Sequence, residues 1–359
     1  MNVLADNNLT EGDQVANKGD QKTQIQCFNF NQTNSLFSVG TNTGFFVFST
    51  NPFKERTRNI FRTNSEAGGI GIAELLFSSN IFALVGGGAN PAFPPDRLVL
   101  WDDQQKKCLI ETEVMSKKNI KAVRLQKNLM VVVLEDNVRV YDHEINERSR
   151  RETIKNPKGI IALSPDTDSI VMAIPHVEKG VVRVDLITAE KTTHIKAHET
   201  EIACLALNRD GSRLATCSEK GTLIRIFDTD TGEKLQEVRR GSKLATIYSI
   251  SFSADSNYIC CCSATGTVHL WAIDSKGKKN RTSSFSFISS IVPVGYVSSQ
   301  WSMAEYRGLE GPALCSFGGD SSTVYVITAK GEFLTIKFDL QKGEAKLEAT
   351  HQLDKFVSS

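Results

Sequence analysis

Two adjacent arginines followed by a glycine, Arg239-Arg240-Gly241, offer the clearest binding chemistry in the chain. Successive side chains of an extended backbone point to opposite sides. The two guanidinium groups can therefore serve two separate pockets, one on each flank, and each presents a planar fork of donors that suits a phosphate. For the tripeptide taken alone, two solvated surface arginines are the more common explanation.

The segments on the two flanks of this tripeptide share one polar spacing. Each carries a Ser-x-x-x-Thr motif, beginning at Ser218 and at Ser263, with a basic or imidazole side chain a few residues later. Each flank can therefore combine an arginine, two hydroxyls and a histidine or a second arginine, the donors that phosphates on a sugar-like ring require. The alternative is that the hydroxyls only bond the backbone of turns and that His198 only ties neighbouring repeats together. The spacing leaves both interpretations open.

A repeat of 40 to 44 residues supplies the elements that must position these side chains. Each copy has an alternating strand, a polar turn, an apolar strand, a glycine turn and a third strand that often ends in an aromatic residue. The third strands recur in steps of 40, 44, 42 and 44 residues, at Trp101, Tyr141, Asp185, Phe227 and Trp271. This period predicts an all-β fold, a seven-bladed β-propeller of WD40-like repeats, whereas a β-sandwich would not repeat at this interval. The predicted blades span about residues 24–65, 66–115, 116–153, 154–198, 199–240, 241–298 and 299–340.

Composition and charge exclude several classes of protein. The chain has 359 residues, of which 40% are hydrophobic, enough for a large core, and its net charge of +1 argues against a general nucleic-acid binder. The eight cysteines show no metal-ligand or C-x-x-C spacing, so we expect buried thiols in a reducing compartment and no metal site. No carboxylate pair or activated nucleophile stands out, so we expect no catalytic residue, no cofactor and no enzyme.

The ends of the chain look different from the repeats. Residues 1–22 are polar and contain no apolar signal core, and no run approaches the roughly 18 apolar residues that a membrane span needs. We expect a soluble cytoplasmic protein with a disordered tail at 1–22, the propeller at 23–340 and a polar tail at 341–359.

An insertion before the last repeat combines cations with apolar residues. The cations are Lys276, Lys278, Lys279 and Arg281, and the apolar residues that follow include Phe285, Phe287 and Ile288. Cations attract an anionic leaflet and apolar side chains enter it, so this loop is suited to lie on a membrane without spanning it. The alternative is that residues 284–288 form the outer strand of blade six.

Several motifs together make the chain similar to a known family. They are Leu84–Gly88, Leu98–Asp103, Asn156–Gly159, Ala197-His198, Ile202–Cys204, Lys220–Asp228, Arg239–Gly241 and Gly266–His269. Over about residues 24–340 the chain resembles the PROPPIN family, the seven-bladed propellers that bind phosphoinositides and are called WIPI proteins in animals. It resembles the branch of the third and fourth WIPI members most.

The resemblance implies a non-enzymatic effector that binds phosphatidylinositol 3-phosphate and phosphatidylinositol 3,5-bisphosphate and scaffolds the autophagy machinery in autophagosome formation. By matching positions, the first lipid site consists of His198, Ser218, Thr222, Arg225 and Arg239. The second site consists of Arg240, Ser263, Thr267 and His269. The family's membrane-inserting loop maps to about residues 275–292.

The resemblance also implies partners and a location. It implies a monomer in the cytoplasm that is recruited peripherally to preautophagosomal and endosomal membranes. It further implies binding of the large lipid-transfer protein of autophagy (Atg2 type) through the edge of the early blades, and no nucleic acid.

Two positions depart from the family pattern. Val238 stands where the family has Phe or Leu before the arginines, and a smaller apolar anchor packs less surface without having to move them. Thr33 stands where an acidic residue is common, which bears on protein partners. A generic WD-repeat scaffold without lipid binding is the alternative function; it would share the fold but would not need the arginine pair or the insertion.

Overall fold

The chain folds into seven β-sheets arranged as the blades of a propeller. The computed structural model describes residues 23–63, 66–113, 117–273, 280–282 and 300–357, and these bounds apply to every statement about the fold. Each sheet contains an antiparallel meander, and one four-residue helix, α1 (Asp354–Val357), follows the last strand. The predicted fold class is confirmed.

Blades one to four consist of strands that are consecutive in the chain. Blade one contains β1 (Ile25–Phe30), β2 (Leu36–Thr41), β3 (Gly44–Thr50), β4 (Phe53–Thr63) and β5 (Glu66–Gly68). Blade two contains β6 (Ile70–Leu75), β7 (Ile81–Gly86), β8 (Arg97–Asp102) and β9 (Lys107–Glu113). Blade three contains β10 (Ala122–Leu125), β11 (Leu129–Val133), β12 (Asn137–Asp142) and β13 (Glu147–Glu152). Blade four contains β14 (Ala162–Leu163), β15 (Val171–Pro175), β16 (Val181–Leu186) and β17 (Lys191–Lys196).

Blade five is extended by two short strands from the insertion within blade six, whereas blade seven is again consecutive. Blade five contains β18 (Ile202–Leu207), β19 (Arg213–Ser218), β20 (Leu223–Asp228) and β21 (Lys234–Arg239), extended by β26 (Gln300–Trp301) and β25 (Arg281–Thr282). Blade six contains β22 (Ile247–Phe252), β23 (Tyr258–Ser263), β24 (Thr267–Ala272) and β27 (Ala304–Arg307). Blade seven contains β28 (Ala313–Phe317), β29 (Thr323–Thr328), β30 (Glu332–Asp339) and β31 (Glu344–Gln352).

Because side chains alternate along each strand, each blade packs against both of its neighbours. In β23, Cys260 and Cys262 pack toward blade seven, whereas Ile259 and Cys261 pack toward blade five, because adjacent strand residues point to opposite faces. Burial raises the pKa of all three thiols. These cysteines are core residues, as predicted, and of the eight only Cys108 is exposed.

The described part of the core consists of seven apolar clusters, one between each pair of neighbouring blades. The cluster that closes the ring joins Phe37 and Phe48 of blade one to Phe333 of blade seven, with the rings of Phe37 and Phe333 stacked at 4.9 Å. Burial of side chains this large contributes roughly 1.5–3 kcal/mol each. The ring is therefore closed by packing between complete blades.

The boundary between blades six and seven differs from the prediction, which placed it at residues 298 and 299. The outer strand of blade six is β27, which pairs with β24, so blade seven begins only at Ala313. The strand that pairs with β24 is β27, and residues 284–288, the alternative outer strand, lie outside the described part. An insertion between the third and fourth strands of a blade breaks the period that located the other boundaries.

The propeller also extends further toward the C-terminus than predicted. Strand β31 pairs along its length with β30, so the sheet reaches Gln352 and not residue 340. Much of β31 is exposed, since it is the outermost strand of its blade. A polar outer strand lacks the apolar alternation that reveals inner strands, which is why this segment resembled a tail. Among the described residues, no helix has the length and apolar character needed to cross a bilayer.

Candidate functional site

The arginine pair lies where the chain passes from blade five to blade six. Arg239 ends β21 and lies opposite Leu223 on one side and Trp301 on the other. Arg240 follows the strand and is only 5% exposed. The preceding Val238 is fully buried in the cluster between the two blades.

The first predicted lipid site is called the first cleft and comprises His198, Ser218, Thr222, Arg225 and Arg239. It contains a buried histidine beside an arginine. Nε2 of His198 and Oγ1 of Thr216 share a hydrogen bond of 2.9 Å. Burial, together with the nearby charge of Arg225, lowers the pKa of His198 to about 4. The imidazole is therefore neutral at pH 7 and acts as a hydrogen-bonding group without a charge.

Arg225 is held by two contacts in this cleft. Its Nη1 donates to the carbonyl oxygen of Ala197 at 2.6 Å, and its Nε donates to Oε2 of Glu237 at 2.8 Å. Glu237 lies directly opposite Arg225 across the β20–β21 pair. The guanidinium is thus oriented before any ligand arrives, next to the imidazole of His198. These contacts also join the end of blade four to blade five. His198 and its neighbours therefore have the structural role, connecting neighbouring repeats, that the spacing left open.

Ser218 and Thr222 flank the tight turn between β19 and β20. Ser218 accepts a backbone bond from Gly221 N at 2.9 Å, and the carbonyl oxygen of Thr222 accepts one from Arg240 N at 2.9 Å. Gly221 has a φ of +59°, and a Cβ there would lie 1.8 Å from the carbonyl oxygen of Ala245. Glycine is required at this position, and the turn is locked against the link that carries the arginines.

The second predicted lipid site, called the second cleft, comprises Arg240, Ser263, Thr267 and His269. It also has a serine and a threonine on the two sides of a turn, here in blade six. Ser263 and Thr267 lie opposite each other beside the β23–β24 turn, and both are buried. The Ser263 hydroxyl and the Thr265 hydroxyl are 2.9 Å apart. The two clefts therefore repeat one arrangement of turn hydroxyls on neighbouring blades.

His269 is the buried imidazole of the second cleft. Its Nδ1 lies 3.2 Å from Oγ of Ser302, which in turn donates to Oε1 of Glu305 at 3.0 Å. Burial lowers the pKa of His269 to about 4; Glu305 opposes this shift, and Arg240 and Arg307 reinforce it. This histidine, like His198, is neutral at pH 7.

Arg240 lies between the two clefts. Its Nε donates to the carbonyl oxygen of Gly221 at 2.8 Å and its Nη2 to that of Lys243. Burial lowers the pKa of this guanidinium, and its charge reaches His269 in the second cleft. A guanidinium carries five N–H donors, so two backbone bonds leave capacity for a ligand.

The base of the blade-six insertion is described, whereas its tip is not. Asn280 is buried and exchanges two 2.8 Å hydrogen bonds with the backbone of Ala272, and its Nδ2 also donates to Oε1 of Gln300. Arg281 lies opposite Trp301. Of the predicted membrane-loop residues, Arg281 is described and the others lie outside the described residues: Lys276, Lys278, Lys279, Phe285, Phe287 and Ile288.

The structure brings the predicted residues together in two groups and adds others that sequence reasoning missed. The additions are Thr216, Ala197, Glu237, Ser302, Glu305 and Asn280. Thr216 lies two residues before Ser218, the first residue of the Ser-x-x-x-Thr motif, and points to the opposite face from Cys217. Because β19 is buried on both faces, Thr216 does not belong to a polar face of the strand, and its spacing carries no signal that it contacts His198.

Comparison with known proteins agrees with these features. The PROPPIN family model matches residues 24–302. Autophagy-related protein 18e of Arabidopsis thaliana is 36% identical over 326 residues, which cover 90% of this chain and 86% of the relative. The structure of Kluyveromyces lactis Hsv2 has a TM-score of 0.73 at 20% identity and covers 92% of this chain and 99% of that chain. A complex of KlAtg21 with the coiled coil of AgAtg16 contains a chain with a TM-score of 0.74 at 21% identity, again covering 92% and 99%.

The likeness to these solved structures concerns the fold, whereas the match to the family model and to the plant relative covers most of the sequence. The predicted residues of both clefts lie inside residues 24–302, whereas Glu305 lies just beyond that match. The chain belongs to the PROPPIN family, the phosphoinositide-binding β-propellers of autophagy.

Proposed function

We propose that this protein is a non-enzymatic membrane effector whose two clefts bind phosphatidylinositol 3-phosphate and phosphatidylinositol 3,5-bisphosphate. The observation that carries the proposal is the shared link: two consecutive arginines join two clefts that each contain a neutral buried histidine and a pair of turn hydroxyls. The alternative, a scaffold that binds only proteins, needs no such duplication.

In the first cleft, the oriented guanidinium of Arg225 and the donors of Arg239 supply charge, while His198, Ser218 and Thr222 supply neutral hydrogen bonds. Charge-assisted bonds to phosphate contribute roughly 1.5–3 kcal/mol each. Because Arg225 is oriented by Ala197 O and Glu237, less conformational entropy is lost when the headgroup binds.

In the second cleft, Arg240 supplies the charge, and Ser263, Thr267 and His269 supply hydrogen bonds. The single arginine lies between the clefts, and its bonds to backbone carbonyls fix its position. Neutral donors need no counter-charge of their own, and their hydrogen bonds to an anion are stronger in a buried site of low dielectric. The two clefts are therefore two headgroup sites, one per arginine.

Membrane binding in this proposal is multivalent. Each headgroup contact raises the effective concentration for the next one, and the apolar residues of the blade-six insertion add a third contact. Weak single-headgroup affinity is then compatible with firm attachment of the cytoplasmic protein to preautophagosomal and endosomal membranes.

A vesicle co-sedimentation assay tests this function. Wild-type protein should pellet with phosphatidylcholine vesicles that contain phosphatidylinositol 3-phosphate, and the double variant Arg239→Thr/Arg240→Thr should remain in the supernatant. The matched control is Arg56→Thr/Arg62→Thr, which removes two exposed charges from the outer strand of blade one. Unchanged pelleting of the folded Arg239/Arg240 variant would overturn the proposal.

We further propose that the protein acts as a monomeric scaffold of the third and fourth WIPI branch, with the large lipid-transfer protein (Atg2 type) as its partner at the early blades. In the β1–β2 turn there, Thr33 is exposed while Gln32 donates to the carbonyl oxygens of Leu75 and Leu125 at 2.8 and 2.9 Å. The turn is thus fixed on three blades and presents a rigid surface. Co-precipitation with the lipid-transfer protein, and with an Atg16-type coiled coil as the competing partner, tests this assignment.

A further inference from the structure

We infer that the loop between blades five and six, residues 241–246, is a membrane contact in its own right, with Leu244 as an apolar tip that enters an anionic lipid leaflet. This inference rests on the proposed function, because it needs the two clefts to face a membrane. It adds a contact that is separate from the headgroup residues and from the blade-six insertion.

Leu244 is exposed to an unusual degree. Its side chain is 73% exposed, whereas the next most exposed large hydrophobic side chains among the described residues are Val177 at 54% and Ile60 at 52%. Lys243 and Ser242 beside it are also exposed. A leucine held in water at the tip of a loop carries an unfavourable hydration free energy that insertion into lipid removes.

The loop is braced, so this exposure belongs to the fold. Arg240 donates Nη2 to the carbonyl oxygen of Lys243 and Nε to that of Gly221, which joins the loop to the β19–β20 turn. On the other side of the tip, Ala245 N donates to the carbonyl oxygen of Lys220 at 3.4 Å. Backbone bonds on both sides of Leu244 therefore hold its side chain outward.

The loop spans the gap between the two clefts. It begins directly after Arg240, and near its end Thr246 accepts a backbone bond from Ala264 N at 2.8 Å, beside the turn of the second cleft. Ile247 then enters the core between blades five and six. A bilayer whose headgroups occupy both clefts must face this loop.

The charge near the tip favours an anionic lipid surface as the occupant. Lys243 and Lys220 are exposed, and the ion pair of Lys220 with Glu199 is long, at 3.8 Å, and open to solvent. Exposed pairs of this kind are weak, so both cations remain able to attract anionic lipid. An apolar tip between cations is the pattern of a peripheral membrane anchor.

The test separates membrane insertion from headgroup recognition. Leu244→Ser should weaken binding to vesicles of phosphatidylcholine, phosphatidylserine and phosphatidylinositol 3-phosphate by about tenfold, which corresponds to one apolar side chain withdrawn from lipid. Its affinity for soluble dibutanoyl phosphatidylinositol 3-phosphate should equal that of the wild type. Ile60→Ser is the matched control, since it removes an exposed apolar side chain from β4 of blade one and should leave both affinities unchanged.

A fluorescence readout detects insertion directly. In Leu244→Trp the indole emission should shift to shorter wavelength on vesicle addition and be quenched by brominated lipid, whereas in Ile60→Trp it should do neither. If wild-type protein binds these vesicles and Leu244→Ser binds them equally well, or the Leu244→Trp emission does not move, the loop contact is wrong while the proposed function stands. If soluble headgroup binding falls as much as vesicle binding, Leu244 acts on the clefts and the inference is also wrong. If wild-type protein does not bind the vesicles, both proposals fail.

Discussion

Arg239 and Trp301 lie opposite each other in a parallel strand pair, so the first arginine of the link and the returning end of the blade-six insertion belong to one sheet. Trp301 also pairs with Arg281 at the outgoing end of the insertion. The base of the insertion is thereby attached beside the first cleft. The proposed first headgroup site and the base of the proposed membrane loop therefore belong to one hydrogen-bonded sheet.

The asparagine at the base of the insertion should be a stability determinant. Asn280→Ala leaves the buried backbone N–H of Ala272 without its acceptor, whereas the carbonyl of Ala272 keeps a 3.1 Å bond from Nε2 of Gln236. The unpaired N–H should lower the free energy of unfolding by about 1–3 kcal/mol. Urea unfolding followed by circular dichroism measures the change. The control Asn257→Ala removes an exposed asparagine and should cost much less; equal stabilities of the two variants would contradict the bracing role.

Each cleft should hold one headgroup. Arg225→Gln should remove the first site, with a loss of about 10- to 100-fold in affinity there, because a charge-assisted bond to phosphate disappears. Titration calorimetry with soluble dibutanoyl phosphatidylinositol 3-phosphate should then give a stoichiometry of one where the wild type gives two. Arg213→Gln, whose guanidinium bonds the carbonyl oxygen of Ser256 away from the clefts, should keep both sites. A stoichiometry of two in Arg225→Gln would place the ligand elsewhere.

The apolar residues of the insertion should act on membranes and not on headgroups. Phe285→Ser/Phe287→Ser should weaken vesicle pelleting about tenfold or more, because apolar burial in lipid is lost. Calorimetric affinity for the soluble headgroup should be retained. The comparison variant Leu109→Ser/Ile110→Ser removes exposed apolar side chains from blade two and should pellet like the wild type. A parallel fall in headgroup affinity would make the insertion a structural element.

Stability should fall as the pH drops from about 6.5 to about 4, because His198 and His269 take up protons more readily in the unfolded chain. Both folded-state pKa values lie below the unfolded value, so the unfolded state binds more protons in this window and stability rises with pH. Each histidine contributes at most roughly 3 kcal/mol to the total change in the free energy of unfolding across this pH window. Urea unfolding at several pH values measures it, and the double variant His198→Gln/His269→Gln should flatten it. An unchanged slope in that variant would mean that neither imidazole is held neutral by burial.

Two glycines near the clefts should differ in how much replacement by alanine lowers stability. Gly221→Ala should lower the free energy of unfolding by at least about 1–3 kcal/mol, since its φ is +59° and a Cβ would meet Ala245 O at 1.8 Å. Gly241→Ala should be nearly neutral, because a Cβ there has no atom within 4 Å. Thermal unfolding of the two variants measures the difference. Similar destabilisation by both would mean that the turn is not locked against the link.

Sequence reasoning selected the candidate site residues through spacings between residues close together in the chain. The Ser-x-x-x-Thr motifs flank their turns as expected, and the third strands of the blades contain the residues that set the period, from Phe48 to Phe338. It missed Thr216 and Ser302, which meet His198 and His269 across strands or loops. Such contacts depend on register and loop path, which a single sequence does not display.

By itself, the sequence determined the number of blades and the alternation that builds seven interfaces. These follow from local periodicity, since the pleat of a strand and the spacing of turns are properties of short segments. The tertiary structure alone decided that β25 and β26 join blade five, that β31 completes blade seven, and that Arg240 braces the loop carrying Leu244. These depend on which distant backbone groups find partners when the blades close into a ring, and unpaired buried backbone groups are too costly to leave that choice open.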